Sequence, residues 1–146
     1  MSGLVIDQEI LIEAPADVVW QTITEPEQMT LWFADRVDLV VQPGAHGYMG
    51  FGDQGGPVVV DTVDRPHRFS FRWNHPSGDE PGDGNSMLVE FTLVPEGQNR
   101  TRLRVTERGH ELRDWPQTEK QRYADEHQDG WGVFLNRLVD VLAPRG

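Results

Sequence analysis

The 146-residue chain contains no cysteine. Disulfides, thiolate nucleophiles and cysteine-held zinc are therefore excluded. No apolar run approaches about eighteen residues, so the sequence offers no transmembrane helix. Met1-Ser2-Gly3-Leu4 lacks the basic segment and apolar stretch of a signal peptide, and a cytoplasmic location is expected. Basic residues are scarce. Thirteen Lys and Arg stand against 24 Asp and Glu, giving a formal charge of −11. Such a surface repels phosphate backbones and anionic lipid, which argues against nucleic-acid binding and membrane insertion. Familiar catalytic signatures are missing too. Gly44-Ala45-His46-Gly47-Tyr48 has no Gly-Lys-Ser/Thr ending, and no serine nucleophile elbow is present. The five histidines, His46, His67, His75, His110 and His127, show no paired ligand spacing, so no metal or cofactor is implied.

What the chain does have is aromatic mass and one long helical pattern. Five Trp and six Phe are a heavy load for this length. Tyr123, His127, Trp131, Phe134, Leu138 and Leu142 recur at helical spacing, which predicts a helix over 117–142 with one apolar stripe. Thr118 and Gln121 read as a capping box at its start. Gly130 and Gly132 flank Trp131, each costing about 1 kcal/mol relative to alanine in a helix interior. Either the backbone approaches the sheet closely there, or space is left open beside the tryptophan.

Upstream, Leu4 to Glu13 alternates as a half-buried strand, and two short helices follow, from Ala14-Pro15 and from Pro26. Strand patterns then run over 36–41, 46–52, 58–64, 67–74, 86–94 and 100–107, with turns at Pro43-Gly44, Asp53 to Gly56 and Arg65-Pro66. Asn74 to Asn85 reads as a long mobile loop. Arg100, Arg102, Arg104 and Arg108 lie mostly along one strand, and a solvated charged face is the expected role. This order predicts an α+β fold in a single domain, 1–146. An antiparallel meander of about seven strands curls around the long helix.

Several segments carry a resemblance to a known family. They are Ile12-Glu13-Ala14-Pro15-Ala16-Asp17-Val18-Val19-Trp20, Thr24-Glu25-Pro26-Glu27 with Trp32-Phe33, Asp64-Arg65-Pro66-His67-Arg68-Phe69 leading to Trp73, and Gly130-Trp131 with Leu135 and Leu138. In this order they resemble the helix-grip fold of the START and SRPBCC superfamily, in the branch named for the activator of the heat-shock-protein-ninety ATPase. The resemblance implies a cavity between the long helix and the concave sheet, and a hydrophobic small molecule as partner. The superfamily also holds lipid carriers and polyketide cyclases, so no single reaction is implied.

The candidate ligand-binding residues are Trp32, Phe33, Phe71, Trp73, Met87, Gly130, Trp131 and Phe134. Each of the aromatic ones serves equally well as core filling. His127 is the best candidate for proton chemistry, with Tyr123 one turn earlier and Glu107 as a carboxylate partner. A hydrogen-bonded histidine at the edge of the stripe is the plain alternative. Three functions remain open: a binder of apolar or aromatic small molecules, a cyclase, dehydratase or hydrolase using the same cavity, and a co-chaperone of the stress response.

Overall fold

Alternating apolar residues build one seven-stranded antiparallel sheet in this computed structural model, which describes residues 5–52, 54–73, 86–109 and 116–143. The elements run β1 (Ile6–Ile12), α1 (Ala16–Thr24), α2 (Pro26–Met29), β2 (Arg36–Asp38), β3 (His46–Phe51), β4 (Gln54–Asp64), β5 (Arg68–Trp73), β6 (Met87–Pro95), β7 (Thr101–Arg108) and α3 (Gln117–Leu142). The sheet order is β1-β7-β6-β5-β4-β3-β2. From β2 to β7 every strand pairs with its sequence neighbour. Only β1 crosses over, joining β7 with Ile6 opposite Glu107 and Ile12 opposite Thr101.

The concave face is apolar because of the two-residue period. Phe69, Phe71 and Trp73 of β5 are buried together with Met87, Val89, Phe91 and Leu93 of β6 and Leu103 and Val105 of β7. α3 lays Tyr123, Ala124, Trp131, Leu135 and Leu138 into this face. It is also tied to the β1 edge, where Gln8 Nε2 donates to the Gln128 carbonyl at 2.7 Å. α1 adds Val19, Trp20 and Ile23 to the same core. The convex face carries the predicted arginines in ion pairs, Arg100 with Glu13, Arg102 with Glu9 and Glu96, and Arg104 with Asp7. The hydrogen bond from Arg104 holds the Asp7 carboxyl below its ordinary value of 3.8. These pairs are half exposed, and each contributes little alone.

The structure revises four local expectations. The helix over 117–142 is present, but Thr118 does not cap it. Pro116 is the N-cap, and its carbonyl accepts from the amides of Glu119 and Lys120. Gln121 donates forward to Asp125 Oδ1 at 2.9 Å instead of back toward the cap. β2 is shorter than its Val37-Leu39-Val41 alternation suggests. It pairs with β3 only over Arg36–Asp38, after which the chain leaves the sheet. β4 is longer than expected, because Phe51 pairs with Gln54 and strand geometry resumes inside the predicted turn. Gly52, at φ +65°, supplies the left-handed residue that so tight a reversal requires. The second short helix, expected from Pro26 to about Phe33, ends at Met29, and residues 30–33 are turn. The predicted loop Asn74 to Asn85 lies outside the described residues.

Candidate functional site

Glu107 is the one acidic side chain in the core among the described residues, and it is 0% exposed. It belongs to the inward-facing row of β7, paired with Ile6 of β1 and Val89 of β6. A buried carboxylate is costly unless hydrogen-bonded. Among the described residues, three side-chain nitrogens converge on it. The indole of Trp73, at the end of β5, donates to Oε2 at 2.6 Å. The indole of Trp131, in α3, reaches Oε1 at 3.4 Å. His127 Nδ1 meets Oε1 at 2.7 Å. Indole nitrogens can only donate, and hydrogen bonds of that sense favour the ionised carboxylate. His127 then donates from Nδ1, which puts the lone pair of its neutral form on Nε2. The ring of Tyr123 lies over His127 with centroids 4.1 Å apart. The structure thus brings the predicted trio of Glu107, His127 and Tyr123 into one cluster, and adds both indoles to it.

The indoles in turn floor a larger aromatic cluster. Trp73 and Trp131 lie 6.1 Å apart. Phe33 sits against both, 5.3 Å from Trp131 with ring planes 17° apart and 5.7 Å from Trp73. Phe134 and Phe51 approach Phe33 edge-on, at 4.9 Å and 5.2 Å. Phe51 was not singled out from the sequence. It shares its strand face with Met49, and that alternation was the available signal. Among the predicted residues, Trp32, Phe71 and Met87 are farthest from the surface. Trp32 donates to the Thr22 carbonyl at 2.9 Å and packs edge-on against Phe91. Phe51 and Phe134, by contrast, are half-buried, so the cluster reaches the surface on their side.

Gly130 lies on that side too, between His127 and Phe134 along the helix stripe. Among the described residues, a Cβ added to it meets no atom within 4 Å, and one on Gly132 meets only Gln8 Oε1 at 3.9 Å. Close approach of backbone to sheet therefore does not explain either glycine. Two grooves are also lined by described residues. One, of about 290 Å³, is bounded by Glu119, Arg122, Tyr123 and Glu126 beside the histidine. The other, of about 400 Å³, lies at α1 and α2 and includes Trp20, Pro26 and Val63. Among the described residues no group of three or more His, Cys, Asp or Glu side chains is placed to hold a metal ion. No helix among the described residues is long and apolar enough to cross a membrane.

An antiparallel sheet wrapped on a long C-terminal helix, with two short helices after the first strand, is the helix-grip architecture of SRPBCC proteins. The chain belongs to the family described as activator of Hsp90 ATPase homolog 1-like protein, which it matches over residues 13–143. It is similar to the solved structure of protein BH1534 from Bacillus halodurans, at 26% identity and a TM-score of 0.73, covering 94% of this chain and 96% of that one. It is also similar to DynU16, a protein of the dynemicin biosynthetic locus, at 27% identity and a TM-score of 0.77. That likeness covers 94% of this chain and 46% of DynU16. The Aha1 dimer from Colwellia psychrerythraea shares the fold at 20% identity and a TM-score of 0.76, covering 94% of this chain and 95% of that one. No curated protein matches the chain.

Proposed function

We propose that this protein binds a hydrophobic or aromatic small molecule between the middle of α3 and strands β3 to β5. The observation that carries this reading is the half-buried pair Phe51 and Phe134, which brings the aromatic cluster to the surface beside the open side of Gly130. Apolar walls with a few convergent polar groups are the usual make-up of a small-molecule site. Glu107 and His127 supply those groups. Similarity to a protein named for a biosynthetic locus supports a small molecule rather than a macromolecule as the ligand.

The test is thermal melting with a panel of apolar and aromatic compounds, on wild type and Gly130→Leu. A ligand at a hundred times its dissociation constant stabilises the folded state by about 2.7 kcal/mol. The expected result is a clear shift in wild type that is lost in a Gly130→Leu protein of undiminished stability. Absence of any shift across the panel would count against the reading.

The 2.7 Å contact between Glu107 and His127 favours a second reading, proton transfer on the bound molecule. A carboxylate on Nδ1 orients the ring and stabilises the imidazolium that forms when Nε2 takes a proton. For a substrate that is turned over, His127→Ala and Glu107→Gln should both lower kcat by about 10²-fold or more. Full turnover by either variant would dismiss this reading. The co-chaperone reading rests on the family description alone and is supported by no feature of this site.

A further inference from the structure

We propose that the paired indoles of Trp73 and Trp131 form a platform for one planar aromatic ring of a ligand, and that the Phe33 ring is its built-in occupant, which the ligand displaces. The inference rests on the small-molecule reading above and names the chemistry of the ligand.

The platform is firmly held. Trp73 belongs to a strand paired on both sides, and Trp131 to a helix of 26 residues. Glu107 accepts from both indole nitrogens and so fixes the two rings relative to each other. Phe33 is held differently. It lies in a turn after the four-residue helix α2, outside any regular element. The amides of Trp32, Phe33 and Ala34 all point to a single carbonyl, that of Met29, at 3.4, 2.9 and 3.2 Å. These bonds share one acceptor within a short turn, whereas β5 and α3 are held by full ladders. Trp32 remains anchored through its bond to Thr22, so only the next residue needs to swing. Leu31 and Asp35, two positions to either side, are exposed, and Asp35 is tied to the sheet by its amide to the Gly50 carbonyl at 2.8 Å.

The geometry around Phe33 is that of a bound guest. It meets the face of Trp131 at 17°, a tilted Trp73 at 33°, and the edges of Phe51 at 79° and Phe134 at 82°. Offset-stacked and edge-on contacts are the favoured aromatic arrangements. A flat ring entering past Phe51 and Phe134 would recover each of them. Both indole donors are taken by Glu107, so the platform presents π faces. Together with the formal charge of −11, this selects an uncharged planar aromatic compound over an anionic one.

The test uses the full chain and N-phenyl-1-naphthylamine, an uncharged probe with a flat naphthalene ring, with binding read by energy transfer from tryptophan. A side chain that occupies the site nine-tenths of the time weakens apparent affinity about tenfold. Phe33→Ala should therefore bind the probe about tenfold or more tightly than wild type. Phe69→Leu, which alters a buried aromatic residue away from the platform, should bind as wild type does. If Phe33→Ala does not fold, Phe33→Leu takes its place with the same expectation. In wild type, the Phe33 ring resonances, assigned by their absence in Phe33→Leu, should lose their ring-current shifts as the probe saturates. Equal or weaker binding by the Phe33 variants, or unmoved Phe33 resonances with probe bound, would overturn displacement while leaving small-molecule binding intact. No saturable binding by wild type or any variant would overturn the small-molecule reading itself.

Discussion

Gly130 and Glu107 show how much a single position can hide. A glycine inside a helix is easily read as close packing, yet the space beside Gly130 is open. Its backbone is helical, and a methyl group there clashes with nothing described. Gly130→Ala should therefore raise stability by about 1 kcal/mol, the difference in helix propensity. At roughly 2–4 °C per kcal/mol for a domain near this size, calorimetry should find a melting point a few degrees higher. A lower one would mean that the glycine serves packing after all. The sequence pointed to Glu107 only as a possible partner for His127. That two indoles also donate to it was not readable, because Trp73 lies 34 residues away and Trp131 24. No local spacing encodes such a contact. It arises only when β5, β7 and α3 are folded against one another.

Elements were more legible than contacts, and the longest were the most legible. The stripe of α3 repeats often enough to predict a long helix, and the observed span, Gln117–Leu142, agrees with that expectation. β2 misled because its alternation continues past Asp38 while its pairing does not, although the partner strand runs on through Gly47 and His46. Pairing is a property of two segments, and one segment's pattern cannot reveal how far the two stay together. Burial of the α3 stripe carries its own prediction. Leu138 is fully buried, and Leu138→Ala should cost about 2–5 kcal/mol by denaturant unfolding. A loss below about 0.5 kcal/mol would indicate a surface site. The β1–β7 seam gives a pH-dependent prediction. Asp7 has a lowered value in the folded state, so the stability it adds is present above 3.8 and fades as pH falls through and below that value. Asp7→Asn should therefore lower the urea midpoint slightly at neutral pH, and the difference from wild type should vanish in acid. A difference that persisted unchanged in acid would assign the effect to something other than the Arg104 pair.

The whole molecule adds a long-range field to these local contacts. With a formal charge of −11, an anionic aromatic ligand should bind more weakly than a neutral one of the same shape. The gap should narrow in about 1 M salt, where the screening length is roughly 3 Å. Paired titrations at low and high salt would measure it, and a gap insensitive to salt would place the discrimination in the site itself. The sheet's one crossover has a different consequence, for the time course of folding. Strands β2 to β7 meet neighbours that follow directly in the chain, whereas β1 must wait for β7, with Ile6 meeting Glu107. Closing so long a loop carries the larger entropic cost, and this seam is expected to form last. During synthesis β1 emerges first, with Ile6, Ile10 and Ile12 lacking their partner strand until nearly the whole sheet has followed. The carboxylate around which the aromatic cluster is arranged thus sits on the pairing that the ribosome completes late, and a nascent chain has no site until its first and last strands have met.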